Sequence, residues 1–318
     1  MAKVKLPDGS ILEVADGSTV RQVARRIGAG LAKAALAGRV NGQLVDLSSA
    51  VSGEAQLAII TSKDEDGLEI MRHSCAHVMA EAICEIWPAT KLVYGPTVRD
   101  GFYYDIDLDE AIRPEDFERI ESKMAQIVKA DEPLERIELS RDQALERVAG
   151  DKYKADNISR AEGDVISFYS HGAGFEDLCR GPHVPGTGRV GSFKVMSVAG
   201  AYWHGDASQK MLQRVYGTAW PKKKELEDYL ARLEEAKKRD HRLLGKQLDL
   251  FSFHEEGPGF AFLHANGMII WNAIIDFWRS VHEKYGYMEI KTPIILNEEL
   301  CPSARSCAKA PRSKLSAS

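Results

Sequence analysis

Apolar and polar side chains alternate from Val4 to Leu6 and again over Ile11, Leu12 and Val14, on either side of the tripeptide Pro7-Asp8-Gly9. A proline-fixed φ followed by a permissive glycine between two such runs predicts a hairpin. Ser18 or Thr19 is placed to cap a short helix through Ile27, which Gly28 and Gly30 end. The run Arg39-Val40-Asn41-Gly42-Gln43-Leu44-Val45 predicts a second hairpin around Asn-Gly, and residues 56–60 a last strand. Two hairpins and a strand embracing one helix make a small α+β module.

Residues 61–67 (TSKDEDG) are polar and mark a boundary near residue 63. Helical periodicity then runs from 68 to 86, where Trp87-Pro88 stops it. Between 94 and 220, strand-like runs at 101–106, 165–169 and 200–203 surround a charged helix over about 114–129, which reads as an α+β domain. Over 222–245, Leu226, Tyr229, Leu230, Leu233 and Ala236 recur at helical spacing and predict one solvated connecting helix. Another apolar helix over 269–282 and a strand entering Pro293 follow. Residues 301–318 hold four basic and no acidic residues without periodicity, which predicts a disordered tail.

Composition narrows the class without naming it. With 318 residues, 44% hydrophobic and 28% charged, the chain has room for two or three compact domains. No run approaches the roughly 18 apolar residues of a membrane span. The opening MAKVKLPDGSILEV reads as strand-turn-strand rather than an export signal, so a cytoplasmic protein is expected. Cys75, Cys84, Cys179, Cys301 and Cys307 form no regular pattern and are expected as free thiols. The net charge of -5 does not announce a nucleic-acid binder, so any RNA assignment rests on motifs.

Two clusters carry candidate chemistry. His73 and His77 stand four apart in the 68–86 helix, off the stripe of Met71, Cys75, Val78, Met79, Ile83 and Ile86, so their rings converge on one small object. In Asp177-Leu178-Cys179-Arg180-Gly181-Pro182-His183 a Gly-Pro turn brings a thiol and an imidazole together. Four Cys/His ligands suit zinc. A metal-free pocket, with histidines and a lysine organising water against an ester, suits the same residues. Tyr104, Lys154 and Asp177 flank the pattern. The pattern is not that of a nucleobase deaminase, which needs an H-x-E together with a P-C-x-x-C. Nothing marks a histidine poised to make Cys179 a nucleophile.

The segments MRHSCAH, RDGFYYDID, DLCRGPH, AGAYWHGD, MLQRVYGTAW and AKKRDHRLLGKQLDLF, in this order, resemble the landmarks of bacterial threonyl-tRNA synthetases over residues 1–300. The resemblance implies a multi-domain α+β chain. Its parts are a β-grasp (TGS, ubiquitin-like) domain over 1–62, an editing domain over 63–223, a linker helix over 224–245 and a partial class II catalytic segment over 246–300. Residues 260–293 resemble the first class II motif. The editing pocket implied has His73, His77, Lys154, Cys179 and His183 as catalytic residues and Tyr104 and Asp177 as substrate-binding ones. In that reading His73 and Lys154 position water against the ester joining serine to the terminal ribose, and Asp177 reads the amine. His77, Cys179 and His183 shape the pocket and exclude threonine.

A second sieve has a physical reason. Serine lacks only threonine's methyl, and one such group is discriminated by only about 10 to 200-fold in a single pocket. The partner implied is the acceptor end of tRNA(Thr), with no membrane involved. Editing is expected to need no cofactor, although the same quartet resembles alanyl-tRNA synthetase editing domains, where it holds zinc. The full-length family is homodimeric and uses ATP, Mg2+ and a catalytic-domain Zn2+. After Leu300 the resemblance stops, so threonine activation is not expected, and the apolar 246–300 segment is expected to pack poorly or to self-associate. The other readings are a tRNA-binding fragment, whose affinity falls steeply with salt, or an inactive truncation product.

Overall fold

The computed structural model describes residues 1–172 and 174–291. The described residues divide into two compact units, one over 1–231 and one from Arg232 onward.

The first unit begins with β1 (Ala2–Lys5), β2 (Ile11–Val14), α1 (Val20–Ile27), α2 (Ala29–Ala34), β3 (Ala35–Val40), β4 (Gln43–Asp46) and β5 (Glu54–Thr61). The strands form one sheet in the order β2-β1-β5-β3-β4, with β1 and β5 parallel. Thr19 caps α1 in a reciprocal box with Gln22, each side chain accepting the other's backbone N–H at 3.2 and 2.8 Å. The helix was expected to end at the glycines. Gly28 does break it with an extended backbone, but α2 resumes at once because alanine and leucine there favour helix strongly.

The unit continues through α3 (Glu65–Ile86), β6 (Lys91–Tyr94), β7 (Gly101–Asp107), α4 (Phe117–Ala130), β8 (Glu135–Ser140), α5 (Arg141–Arg147) and α6 (Lys152–Arg160). After these come β9 (Val165–His171), β10 (Phe175–Leu178), β11 (Ser192–Tyr202) and β12 (Met211–Trp220). An antiparallel sheet runs β11-β12-β7-β6, and a smaller one β8-β9-β10. The central element is α3. Its sequence predicts one apolar stripe, yet the helix is buried almost all round from Ile70 to Ile83. The reason is that α4, β7 and β12 and the N-terminal strands β3 and β5 all pack on it. Leu36, Ala37 and Ile60 of the N-terminal module therefore share one core with Ile70, Met71 and Met79.

The single helix expected over 222–245 is two, α7 (Lys223–Lys238) and α8 (His241–Gln247). Asp240 interrupts the helical run because its side chain accepts the Arg242 N–H at 2.8 Å and caps α8. In the second unit, α8 and the short antiparallel pair Phe251–Ser252 and Phe262–Leu263 precede α9 (Ala265–Lys284). The strand expected to enter Pro293, Cys301, Cys307 and the tail over 301–318 lie outside the described residues.

On α9, Ile269, Trp271, Ile274 and Phe277 are 53% to 70% exposed. Such a contiguous apolar face drives association. Concentration-dependent association in sedimentation velocity is the expected result, and Ile269→Glu is expected to shift the boundary toward the monomer. A monomer at all concentrations rules this out.

Among the described residues no helix is long and apolar enough to cross a membrane.

Candidate active site

The two clusters read from the sequence meet in space. His73 and His77 project from one side of α3, one turn apart. The loop after β10 carries Cys179 and His183 to the same point. The His183 ring lies 4.4 Å from both other rings, and the His73 and His77 rings are 5.3 Å apart. The loop turns at Gly181, whose φ of +70° and close approach to the Tyr169 side chain leave no space for a Cβ.

Hydrogen bonds determine which nitrogen carries each proton. The Ser74 hydroxyl donates to the Ile70 carbonyl at 2.9 Å, so its oxygen accepts from His183 Nδ1 at 3.0 Å. The Nε2 lone pair of His183 then faces Cys179 Sγ at 3.2 Å. His73 Nε2 faces the same sulfur at 3.2 Å, while the Pro182 carbonyl accepts a hydrogen bond from the His73 ring. Burial pushes the Cys179 thiol up to about 12, although the Gly181 N–H that points at it pulls the other way. One S–H cannot serve two lone pairs, so one imidazole nitrogen stays available to a water molecule or a cation. One nitrogen of each of the three rings and the sulfur lie within 4.8 Å of one another. This three-nitrogen, one-sulfur donor set fits a tetrahedral zinc ion.

Lys154 comes from α6, whose first turn Asp151 caps by accepting the Tyr153 and Lys154 N–H groups at 2.9 and 3.1 Å. Its ammonium group pairs with Asp177 of β10, and Tyr104 of β7 donates its hydroxyl to the other Asp177 oxygen. The Leu178 N–H adds a third donor at 2.8 Å. Burial pushes the Asp177 carboxyl up, but the Lys154 charge, the His77 ring and these hydrogen bonds hold it below the usual carboxylate range. Burial and the Asp177 charge raise the Tyr104 phenol far above its ordinary value, so it stays a donor.

His73, His77, Tyr104, Lys154 and Cys179 line one cleft of about 550 Å³, with Arg160 and Arg180 among the residues around it. Asp177 was expected to read the substrate's amine directly. It is 2% exposed, does not line this cleft and already carries three donors, so its geometry suits holding Lys154 and Tyr104 in place. Sequence reasoning missed Ser74, although it stands between the two histidines in HSCAH. It also missed Tyr169 and Arg136, which no local signal marks.

Burial lowers His73 to about 4 and His77 to about 3, and it holds His183 well below 6.5. Below pH 6.5 the unfolded chain takes up protons that these folded rings refuse, so stability falls with pH. The metal-free protein is expected to lose on the order of 3 kcal/mol through His73 alone between pH 6.5 and 4. Urea denaturation at stepped pH checks this, and a flat profile across that window refutes it.

The chain matches two family descriptions: "TGS domain" over residues 2–61, and "Threonyl and Alanyl tRNA synthetase second additional domain" over residues 166–216. It is 52% identical over 303 residues to a threonine–tRNA ligase of Desulforamulus reducens, covering 94% of this chain and 48% of that protein. Threonine–tRNA ligases of Burkholderia lata and Carboxydothermus hydrogenoformans are each 50% identical over the same shares. The chain spans about half the length of the curated relatives it matches.

Proposed function

We propose, for a chain that belongs to the threonyl-tRNA synthetase family, that its cleft hydrolyses the ester of serine wrongly attached to tRNA(Thr). The observation that carries the reading is the convergence of His73, Lys154, Cys179 and Tyr104, from four separate segments, on one cleft. An aminoacyl ester needs no ATP to be hydrolysed. It needs an ordered water, a cation near the developing oxyanion and a wall that rejects the wrong side chain.

In this mechanism the neutral His73 ring accepts a hydrogen bond from water and aims its oxygen at the ester carbonyl carbon. The Lys154 ammonium, held by Asp177, donates to the carbonyl oxygen as negative charge gathers there. Collapse of the tetrahedral centre breaks the bond to the ribose oxygen, which takes up the proton released by the water. Free serine and uncharged tRNA leave. His77 and Cys179 form the wall that leaves no room for threonine's methyl, and His183, buried behind them, holds Cys179 in place.

A second reading is favoured by the two imidazole lone pairs aimed at one sulfur. Zinc held by His73, His77, Cys179 and His183 would supply Lewis acidity or tie the loop to α3.

Single-turnover deacylation of seryl- and threonyl-tRNA(Thr), with and without chelator, tests both. Serine loss at least about tenfold faster than threonine loss is expected. Equal rates, or none, overturn the editing reading. Chelator sensitivity accompanied by stoichiometric zinc selects the second reading.

A further inference from the structure

Asp46 ends β4 in the N-terminal module, 137 positions before His183, yet it is buried at 7% exposure. One of its oxygens faces the loop that carries Cys179 and His183, and the other faces Tyr169 of β9. Oδ1 accepts the backbone N–H of His183 at 2.9 Å, and Oδ2 accepts the hydroxyl of Tyr169 at 2.6 Å. The Tyr169 ring packs on the His183 ring with centroids 4.4 Å apart. Arg136 closes the network, donating to the Tyr169 oxygen at 3.1 Å and to the Arg180 carbonyl at 2.9 Å. On the far side of the loop, Ser74 accepts the Val184 N–H at 3.0 Å.

We propose that Asp46 is a positioning residue for the hydrolytic pocket: the N-terminal module reaches across and clamps the Cys179–His183 loop against α3. This rests on the editing reading for its consequence, but the clamp itself is a statement about the loop. A loop that turns through Gly181 in a left-handed conformation has little local reason to hold one shape. A carboxylate accepting a backbone N–H is a strong, charge-assisted tether. Displacement of a positioned group by about 1 Å slows a reaction on the order of a hundredfold. The N-terminal module therefore completes the pocket.

The module also makes a polar contact with α3 that serves as the control. Arg39 of β3 pairs with Asp66 in the first turn of α3 and touches none of the loop residues. Two readouts are compared in the full chain for Asp46→Ala and Arg39→Ala. The first is alkylation of Cys179 by iodoacetamide, followed by peptide mass mapping so that the other thiols are scored separately. The second is single-turnover hydrolysis of seryl-tRNA(Thr) over a range of enzyme concentrations.

Asp46→Ala is expected to raise Cys179 alkylation about tenfold. It is also expected to slow hydrolysis about 10 to 100-fold at an unchanged half-saturating concentration. Arg39→Ala should move neither. Equal effects of the two substitutions, or no change in Cys179 alkylation, overturn the clamp. If the alkylation contrast holds while the unaltered chain hydrolyses nothing, the clamp stands and the editing reading falls. Should Asp46→Ala fail to fold by circular dichroism, Asp46→Asn and Tyr169→Phe each remove part of the network. They should shift both readouts in the same direction by a smaller factor, and no shift from either overturns the proposal.

Discussion

Replacing His73 by alanine is expected to slow hydrolysis of seryl-tRNA(Thr) by about 10² to 10³-fold under single-turnover conditions, with the concentration dependence unchanged. The magnitude is that of removing a group that orients and polarises the attacking water. The sign and the unchanged affinity follow from where His73 sits. It is one imidazole in a cleft whose Nε2 points at Cys179 Sγ, so alanine removes a pocket nitrogen without touching the residues at the rim. Because burial lowers His73 to about 4, the ring is already neutral at pH 6. The rate is therefore expected to show no break near 6.5. A break there would mean that a solvent-exposed histidine, not His73, carries the chemistry. Full activity in His73→Ala would remove the proposed role outright.

The largest stability effect should come from Lys154→Met. The Asp177 side chain is 1% exposed and that of Lys154 10%, so the methionine would leave a carboxylate buried without its charge partner. Breaking one side of such a pair destabilises by about 3 to 5 kcal/mol. Tyr104 and the Leu178 N–H still donate to Asp177, which places the expected loss toward the lower end of that range. The double variant Lys154→Met, Asp177→Asn removes the orphaned charge and should recover at least about half of the loss. Urea denaturation of the four members of this cycle checks it. Additive losses would mean that the pair is screened and contributes little. The destabilised single variant should also be the more acid-resistant in relative terms, because protonating Asp177 then relieves an unpaired charge.

The two experiments separate chemistry from scaffold. His73 lies on the face of α3 that looks into the cleft, and its loss should leave the midpoint of unfolding nearly unchanged. Lys154 serves both purposes, holding Asp177 in the fold and lining the cleft. A variant that loses activity and stability together thus reports on Lys154, and one that loses activity alone reports on His73.

Much of the local structure was legible in the order of residues because it depends on neighbours in the chain. Thr19 and Gln22 are three apart and cap α1 reciprocally; Asn41-Gly42 turns β3 into β4; Pro88 ends the run of α3. The spacing of His73 and His77 is likewise a property of one helix. The break at Asp240 was not read: Asp240 is a capping residue type just before a new helical run, but the continuing apolar period concealed it.

What only the tertiary structure decided is which distant groups complete these local pieces. The burial of α3 on nearly every side comes from three separate layers packing on it, and periodicity along one helix cannot register partners that are not yet in place. Asp177 reads in sequence as a polar residue beside Cys179 and free to meet a substrate; folding gives its oxygens to Lys154 and Tyr104. Asp46 merely follows the hairpin read over 39–45; folding sets it on the N–H of His183, 137 positions away. Dihedral preferences and periodicity act over a few residues and are written along the chain. The partners of buried polar groups are set by which surfaces meet when apolar area leaves water, and that is a property of the packed whole.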